Sequence, residues 1–235
     1  MDADAIFFDA GSTLIYPDPP VSEVYARALR GAGIEAEERE VHSRYEEVFS
    51  RLRGEQAAGT VGYGCSEAQA MDWWRRVVRE TFEPFGLPAA FEEEFRCLWD
   101  YFASPEAWAV YDDVFATLDR LERRGKGLGL ISNWDVRLER LLKELGLWGR
   151  LRWAVISCRV GAEKPAPAIF QAALAQCGLP PGRTLHVGDS LREDVLGARQ
   201  AGMQAVWLRR HGSHQPAPSG VAVIRSLAEL AGLVS

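Results

Sequence analysis

The chain has 235 residues, 47% of them hydrophobic, which suffices for one large domain or two small ones. Its 27 basic and 33 acidic residues give a formal net charge of −6, so there is no basic field to neutralise the phosphates of a polynucleotide, and a nucleic-acid partner is not expected.

The first element is the apolar run AIFFD, Ala5 to Asp9, which reads as a buried strand ending on an acid. Pro17, Pro19 and Pro20 then mark a linker. From about residue 20 to residue 105 the pattern is helical, with no convincing strand. Ser22 opens one helix, Glu37 to Leu52 forms a second, Ser66 with Gln69 reads as a capping box for a third, and Phe91 to Phe102 is apolar at helical spacing. Ser104 and Pro105 mark the second linker.

Beyond it, strand and helix alternate. Helical patterns at Asp112 to Glu122, Val136 to Leu145, Ala168 to Gln176 and Glu193 to Ala201 are each followed by a glycine suited to a left-handed C-cap: Gly125, Gly146, Gly178 and Gly202. Between and after them lie the apolar runs Leu128 to Ser132, Trp153 to Ser157, Thr184 to Gly188, Ala205 to Leu208 and Val221 to Ile224. A capping-box pattern, Ser226 with Glu229, opens a last helix. The expected fold class is α/β: a doubly wound parallel sheet built from residues 1–16 and 106–235, with an all-helical domain, residues 17–105, inserted behind the first strand. Trp73, Trp74, Trp99 and Trp108 are expected to pack that helical insertion rather than to face a substrate.

Cys65, Cys97, Cys158 and Cys177 have neither CxxC spacing nor disulfide-scaffold density, so free thiols in a cytoplasmic protein are expected. The opening MDADAIFFDAG is acidic where a secretion signal would be basic, and no apolar run reaches the roughly 18 residues needed to span a bilayer, so no membrane association is expected. Only Lys126, Lys143 and Lys164 are lysines, which leaves lysine-dependent chemistry few candidates.

Asp9, Ser132, Lys164 and Asp189 fall at or just past the carboxyl ends of expected strands, where open α/β sheets bind ligands. Taken singly, each also suits a turn or a helix cap. Together they resemble the haloacid dehalogenase-like (HAD) superfamily. FFDAGSTL (Phe7 to Leu14) is similar to its first motif, LISN with Ser132 to its second, GAEKPAPAIF with Lys164 to its third, and HVGDSLREDVLGARQAG with Asp189 and Asp194 to its fourth. All four occur in the family's order, and with a helical cap the resemblance covers nearly the whole chain.

The resemblance implies a Rossmannoid core with a helical cap and a Mg2+-dependent phosphatase acting on a small phosphorylated substrate. It implies Asp9 as nucleophile forming an aspartyl-phosphate, and Mg2+ held by Asp9, the Gly11 main-chain carbonyl and Asp189, with Asp194 orienting a metal-bound water or ligating the metal. Ser132 and Asn133 would contact the substrate, and Lys164 would neutralise Asp9 and the transferring group.

One departure bears on activity. Phosphatases of the superfamily place a second Asp two residues after the nucleophile to protonate the leaving oxygen, and here that residue is Gly11. General acid–base groups contribute about 10²- to 10⁴-fold, so unactivated esters should react slowly. A donor from the cap could be His42, Tyr63 or Asp72, each of which reads equally as an exposed residue. The chain is most similar to a branch whose first motif reads Asp-Ala-Gly-Gly-Thr-Leu.

Four other roles compete. A 2-haloacid dehalogenase also lacks the second Asp but tends to carry Ser-Asn at Gly188-Asp189. A phosphonatase needs a cap lysine, and residues 17–105 contain none. A β-phosphoglucomutase-like role needs the missing acid. A ligand-binding protein with little turnover is supported by Gly11 and opposed by the other four site residues.

Overall fold

The computed structural model describes residues 1–57, 65–210 and 216–234. The chain forms two compact units, one of Met1–Tyr16 with Val110–Ser235 and one of Pro17–Ala109.

In the first unit, strand β1 (Ala5–Phe8) is buried on both faces, as its unbroken apolar run requires. Two short strands that belong wholly to neither unit, β2 (Ile15–Pro17) and β3 (Trp108–Val110), pair in a separate two-stranded ribbon. The sheet is completed by β4 (Gly127–Ser132), β5 (Trp153–Ile156), β6 (Thr184–Gly188), β7 (Gln204–Leu208) and β8 (Ala222–Ile224). Its order is β5-β4-β1-β6-β7-β8, and every adjacent pair is parallel. The chain therefore winds outward from β1 in both directions. The carboxyl ends of β4, β1 and β6 surround the point where the winding reverses, which is where such sheets bind ligands.

The register sorts the side chains by face. Phe7 pairs with Gly129 and His186, and His186 with Ala205. On that face Phe7, Ile131, Val155 and Trp207 pack with Ile169 and Phe170 of a helix, and Ile6, Phe8, Leu130 and Val187 are buried on the other. Gly129 is required where it stands, because a Cβ there would lie 2.5 Å from the Phe7 ring.

The sequence between the strands forms α5 (Val114–Arg123), α6 (Arg137–Glu144), α7 (Ser157–Val160), α8 (Pro167–Cys177) and α9 (Gly197–Gln200), with α10 (Leu230–Leu233) at the end, numbered after four helices of the other unit. Gly178 closes α8 at φ 67°, a conformation open to glycine at little cost. One expectation needs correction. The segment from Glu193 to Ala201 is not a single regular helix: Leu191–Leu196 is a widened, π-type turn, and only Gly197–Gln200 is α-helical. The Ser190 carbonyl accepts from both Asp194 N and Val195 N, which opens the turn beneath Asp194. The Ser226–Glu229 capping box is present.

The second unit contains α1 (Val21–Gly31), α2 (Glu38–Ala57), α3 (Glu67–Phe82) and α4 (Phe91–Tyr101), with Tyr25, Leu52, Trp73, Val77, Phe82 and Phe95 among its core residues. Ser66 accepts from Gln69 N at the start of α3. Trp73, Trp74 and Trp99 belong to this core, and Trp108 donates to the Phe102 carbonyl at 3.1 Å. That bond, with the Pro105–Ala107 turn, keeps residues 106–109 with the helices, so the return to the sheet lies at Val110. No helix among the described residues is long and apolar enough to cross a membrane.

Candidate active site

Asp9 follows β1, and its N–H donates to the Val187 carbonyl at 2.9 Å, extending the β1–β6 pairing into the loop. Beyond it the chain turns sharply. Leu14 N and Ile15 N both reach the Ala10 carbonyl, and Ser12 takes a left-handed φ of 55°. A non-glycine residue there carries about 1 kcal/mol or more of strain, which the surrounding bonds hold in place.

Ser132 ends β4, and its hydroxyl donates to Asp9 Oδ1 at 2.8 Å. Lys164 reaches the same oxygen from the loop before α8, with Nζ at 2.7 Å, and also contacts Asp194 Oδ1 at 2.6 Å. Asp9 Oδ2 is held by no side chain among the described residues. The Lys164 side chain is 2% exposed and that of Asp9 13%. Desolvation, the largest single influence on Lys164, works against its charge, but Asp194 and Asp9 overcome it and hold the ammonium pKa above the ordinary lysine value.

Asp194 is buried and fully engaged. Oδ1 accepts from Lys164 and meets His186 Nε2 at 2.9 Å, and Oδ2 accepts the Ser190 N–H at 2.9 Å. Burial would raise its pKa, but Lys164 and then His186 hold it well below the usual carboxylate range. Gly188 is needed for this approach, since a Cβ there would lie 2.2 Å from the Asp194 carboxyl carbon.

Asp189 follows β6 with its side chain exposed, and its carbonyl accepts from Trp207 Nε1 at 2.8 Å. Its carboxyl is pushed well above the usual range by dense surroundings first, then by the negative charges of Asp194 and Asp9. Because the group is open to solvent, the repulsion is the part that the geometry requires.

Carboxylate oxygens of Asp9, Asp189 and Asp194 lie within 4.8 Å of one another. Three carboxylates against the Lys164 ammonium leave a surplus of negative charge. A proton on Asp189 relieves it, and a divalent cation would relieve it more fully. Clustered hard oxygen donors fit Mg2+.

Asn133 follows Ser132, and both ends of its amide are spent on the main chain of Lys164. Oδ1 accepts Lys164 N at 2.6 Å and Nδ2 donates to Lys164 O at 2.9 Å, with Glu193 Oε2 at 3.3 Å. These bonds make Asn133 a brace on the lysine loop. Trp134, next in sequence, lies beside Gly11, where a Cβ would be 3.3 Å from ring atom Cζ3. Its main chain is fixed by Ser157, whose hydroxyl accepts from Trp134 N and donates to Trp134 O, both at 3.0 Å.

Of the residues considered as substitute acids, His42 and Asp72 are exposed in the helical unit, with Asp72 paired to Arg75. Tyr63 lies outside the described residues. Sequence reasoning gave no role to His186, Gly188, Trp134 or Trp207. The one available signal was a histidine in the apolar strand TLHVG.

Residues 3–202 match the haloacid dehalogenase-like hydrolase family. The chain belongs to that family. Among curated relatives of this HAD chain, haloacid dehalogenase-like hydrolase domain-containing protein 3 of Danio rerio is 34% identical over 211 residues, covering 87% of this chain and 84% of the relative. Phosphoserine phosphatase of Thermus thermophilus is 32% identical over 223 residues, covering 87% and 88%. Among solved structures, a HAD phosphatase from Thermococcus onnurineus aligns with a TM-score of 0.66 and 29% identity, covering 98% of this chain and 97% of that one. The chain is thus a HAD-like hydrolase with phosphatases among its relatives.

Proposed function

We propose that this hydrolase is a Mg2+-dependent phosphatase that acts through an aspartyl-phosphate at Asp9 on a small phosphorylated metabolite with a good leaving group. The observation that carries the reading is the Asp9 carboxylate held by Ser132 and Lys164 through Oδ1, beside the oxygens of Asp189 and Asp194. The curated phosphoserine phosphatase and the HAD phosphatase structure favour phosphoryl transfer as the chemistry.

In this reading, Asp9 forms a bond to phosphorus as the bond to the leaving oxygen breaks and its electron pair departs with that oxygen. Water then attacks the acyl phosphate, releasing inorganic phosphate and restoring Asp9. Lys164 stays charged and offsets the repulsion between carboxylate and phosphate, and Ser132 donates to Asp9 or to a phosphoryl oxygen. Asp9, Asp189 and Asp194, with the Gly11 carbonyl by family resemblance, would hold Mg2+, which supplies charge neutralisation and orientation. By family resemblance, the inserted helices would act as a substrate-selecting cap.

Gly11 offers no proton, so the leaving group must depart without one. Acyl and aryl phosphates meet that condition. The same glycine supports a second reading, a HAD-fold binding protein with slow turnover. Dehalogenation is disfavoured, because Asp189 would add a negative charge beside the nucleophile.

The test is hydrolysis of p-nitrophenyl phosphate and acetyl phosphate with and without Mg2+, for wild type and Asp9→Asn, with 2-chloropropionate as control. Mg2+-dependent turnover abolished in Asp9→Asn is expected. Wild-type silence on both phosphates, with Mg2+ still bound, would favour the binding reading.

A further inference from the structure

His186 is wholly buried on the sheet face that carries Phe7 and Trp207, edge-on to Phe170 of α8 with ring centroids 5.6 Å apart. Nε2 lies 2.9 Å from Asp194 Oδ1, and Nδ1 has no partner among the described residues. An ionised carboxylate can only accept, so Nε2 donates to it, while Nδ1 stays unpartnered in the core. Phenylalanine or methionine would fill this place without that unsatisfied ring nitrogen. Packing alone therefore does not account for an imidazole here.

We propose that His186 is a positioning residue whose Nε2–H fixes the orientation of the Asp194 carboxylate toward Lys164 and the divalent cation. The proposal rests on the reading of Asp9, Asp189 and Asp194 as the cation's ligands. Lys164 ends a flexible four-carbon stem, so its contact with Oδ1 does not fix the carboxylate plane. The other two contacts do. Imidazole, carried on the rigid strand β6, holds Oδ1, and the Ser190 N–H holds Oδ2. The acceptor capacity left on Asp194 is thereby kept in the cluster with Asp9 and Asp189. Hydrogen-bond partners that orient metal ligands act in this way.

The experiment compares wild type with His186→Phe, His186→Met and His186→Gln in the full chain. It reads Mg2+ affinity by calorimetry, the melting midpoint without metal, and kcat and KM for p-nitrophenyl phosphate. Loss of the donor in His186→Phe and His186→Met should weaken Mg2+ binding about 10- to 100-fold and lower kcat with little change in KM. His186→Gln, which keeps an N–H, should recover part of both. The methionine variant decides the matter if the phenylalanine variant does not fold.

The proposal is overturned if the donorless variants shift only the melting midpoint, or if His186→Gln is no better than they are. A wild type that binds Mg2+ without hydrolysing either phosphate removes the phosphatase reading alone, and weakened Mg2+ binding in the variants then still supports the role of His186. A wild type that hydrolyses, beside donorless variants of equal kcat and Mg2+ affinity, removes this inference alone.

Discussion

Asn133 grips Lys164 by its main chain, accepting from its N–H at 2.6 Å and donating to its carbonyl at 2.9 Å, so the end of β4 and the lysine loop behave as one piece. Lys164 Nζ in turn spans Asp9 and Asp194. Asn133 thus acts on the site through where it puts the ammonium. Asn133→Ala should lower kcat on p-nitrophenyl phosphate by about 10²-fold, the scale of a misplacement of about 1 Å, while KM changes less. A rise in KM with kcat preserved would instead restore Asn133 as a substrate contact.

Gly188 sits where the carboxyl carbon of Asp194 comes within 2.2 Å of a would-be Cβ. Gly188→Ala must push Asp194 away from Lys164 and His186 or distort the end of β6. A stability loss of about 1–3 kcal/mol is expected from such overpacking, together with weaker Mg2+ binding. Thermal melts with and without Mg2+ measure both. Unchanged binding would show that Asp194 is not needed for the cation.

The six strands of the main sheet were legible because each is a short apolar run, and four of the polar site residues could be named because they end or closely follow such runs. The β2–β3 ribbon was not legible, since Ile15–Pro17 and Trp108–Val110 are three residues each and pair across the whole helical insertion. Apolar spacing from Glu193 to Ala201 suits a regular helix, and nothing in it announces the wide turn that carries Asp194. The direction of the Asn133 amide and the partner of His186 depend on residues 31 and 8 positions away, respectively, which spacing along the chain does not encode.

Gly11 and Trp134 make the missing acid more than a single-residue change. A Cβ at position 11 would stand 3.3 Å from the indole edge, so a new side chain needs the ring to give by a few tenths of an ångström. The Trp134 main chain, clamped by Ser157, does not move easily. Gly11→Asp alone should therefore raise turnover of an alkyl phosphate by less than the about 10²- to 10⁴-fold that a placed acid contributes. Adding Trp134→Ala should raise it further, with little gain on p-nitrophenyl phosphate, whose leaving group needs no proton. Equal gains on both substrates would mean that position 11 does not protonate the leaving oxygen.

Asp113 and Arg210 join three segments of the α/β unit. Arg210 makes a two-pronged contact to Asp113 at 2.8 and 2.9 Å, donates to the Thr13 carbonyl in the turn after Asp9, and stacks over Tyr111 at 3.8 Å. Asp113 also accepts from Ser226 Oγ and Leu227 N. Desolvation raises the Asp113 pKa, but Arg210, Ser226 and Leu227 outweigh it and hold the folded value below the ordinary one. The sign follows: a carboxyl depressed on folding stabilises fully above its unfolded pKa of about 3.9, and that contribution is lost as pH falls through the lower folded value. Asp113→Asn should cost about 2 kcal/mol at pH 7, as for hydrogen bonds to a charged group, and lower the melting midpoint by about 5 °C in a chain of this size. The gap from wild type should narrow below about pH 4. Melts from pH 7 to pH 3 test this, and a gap of constant size would show that the loss comes from packing rather than from the ionised carboxylate.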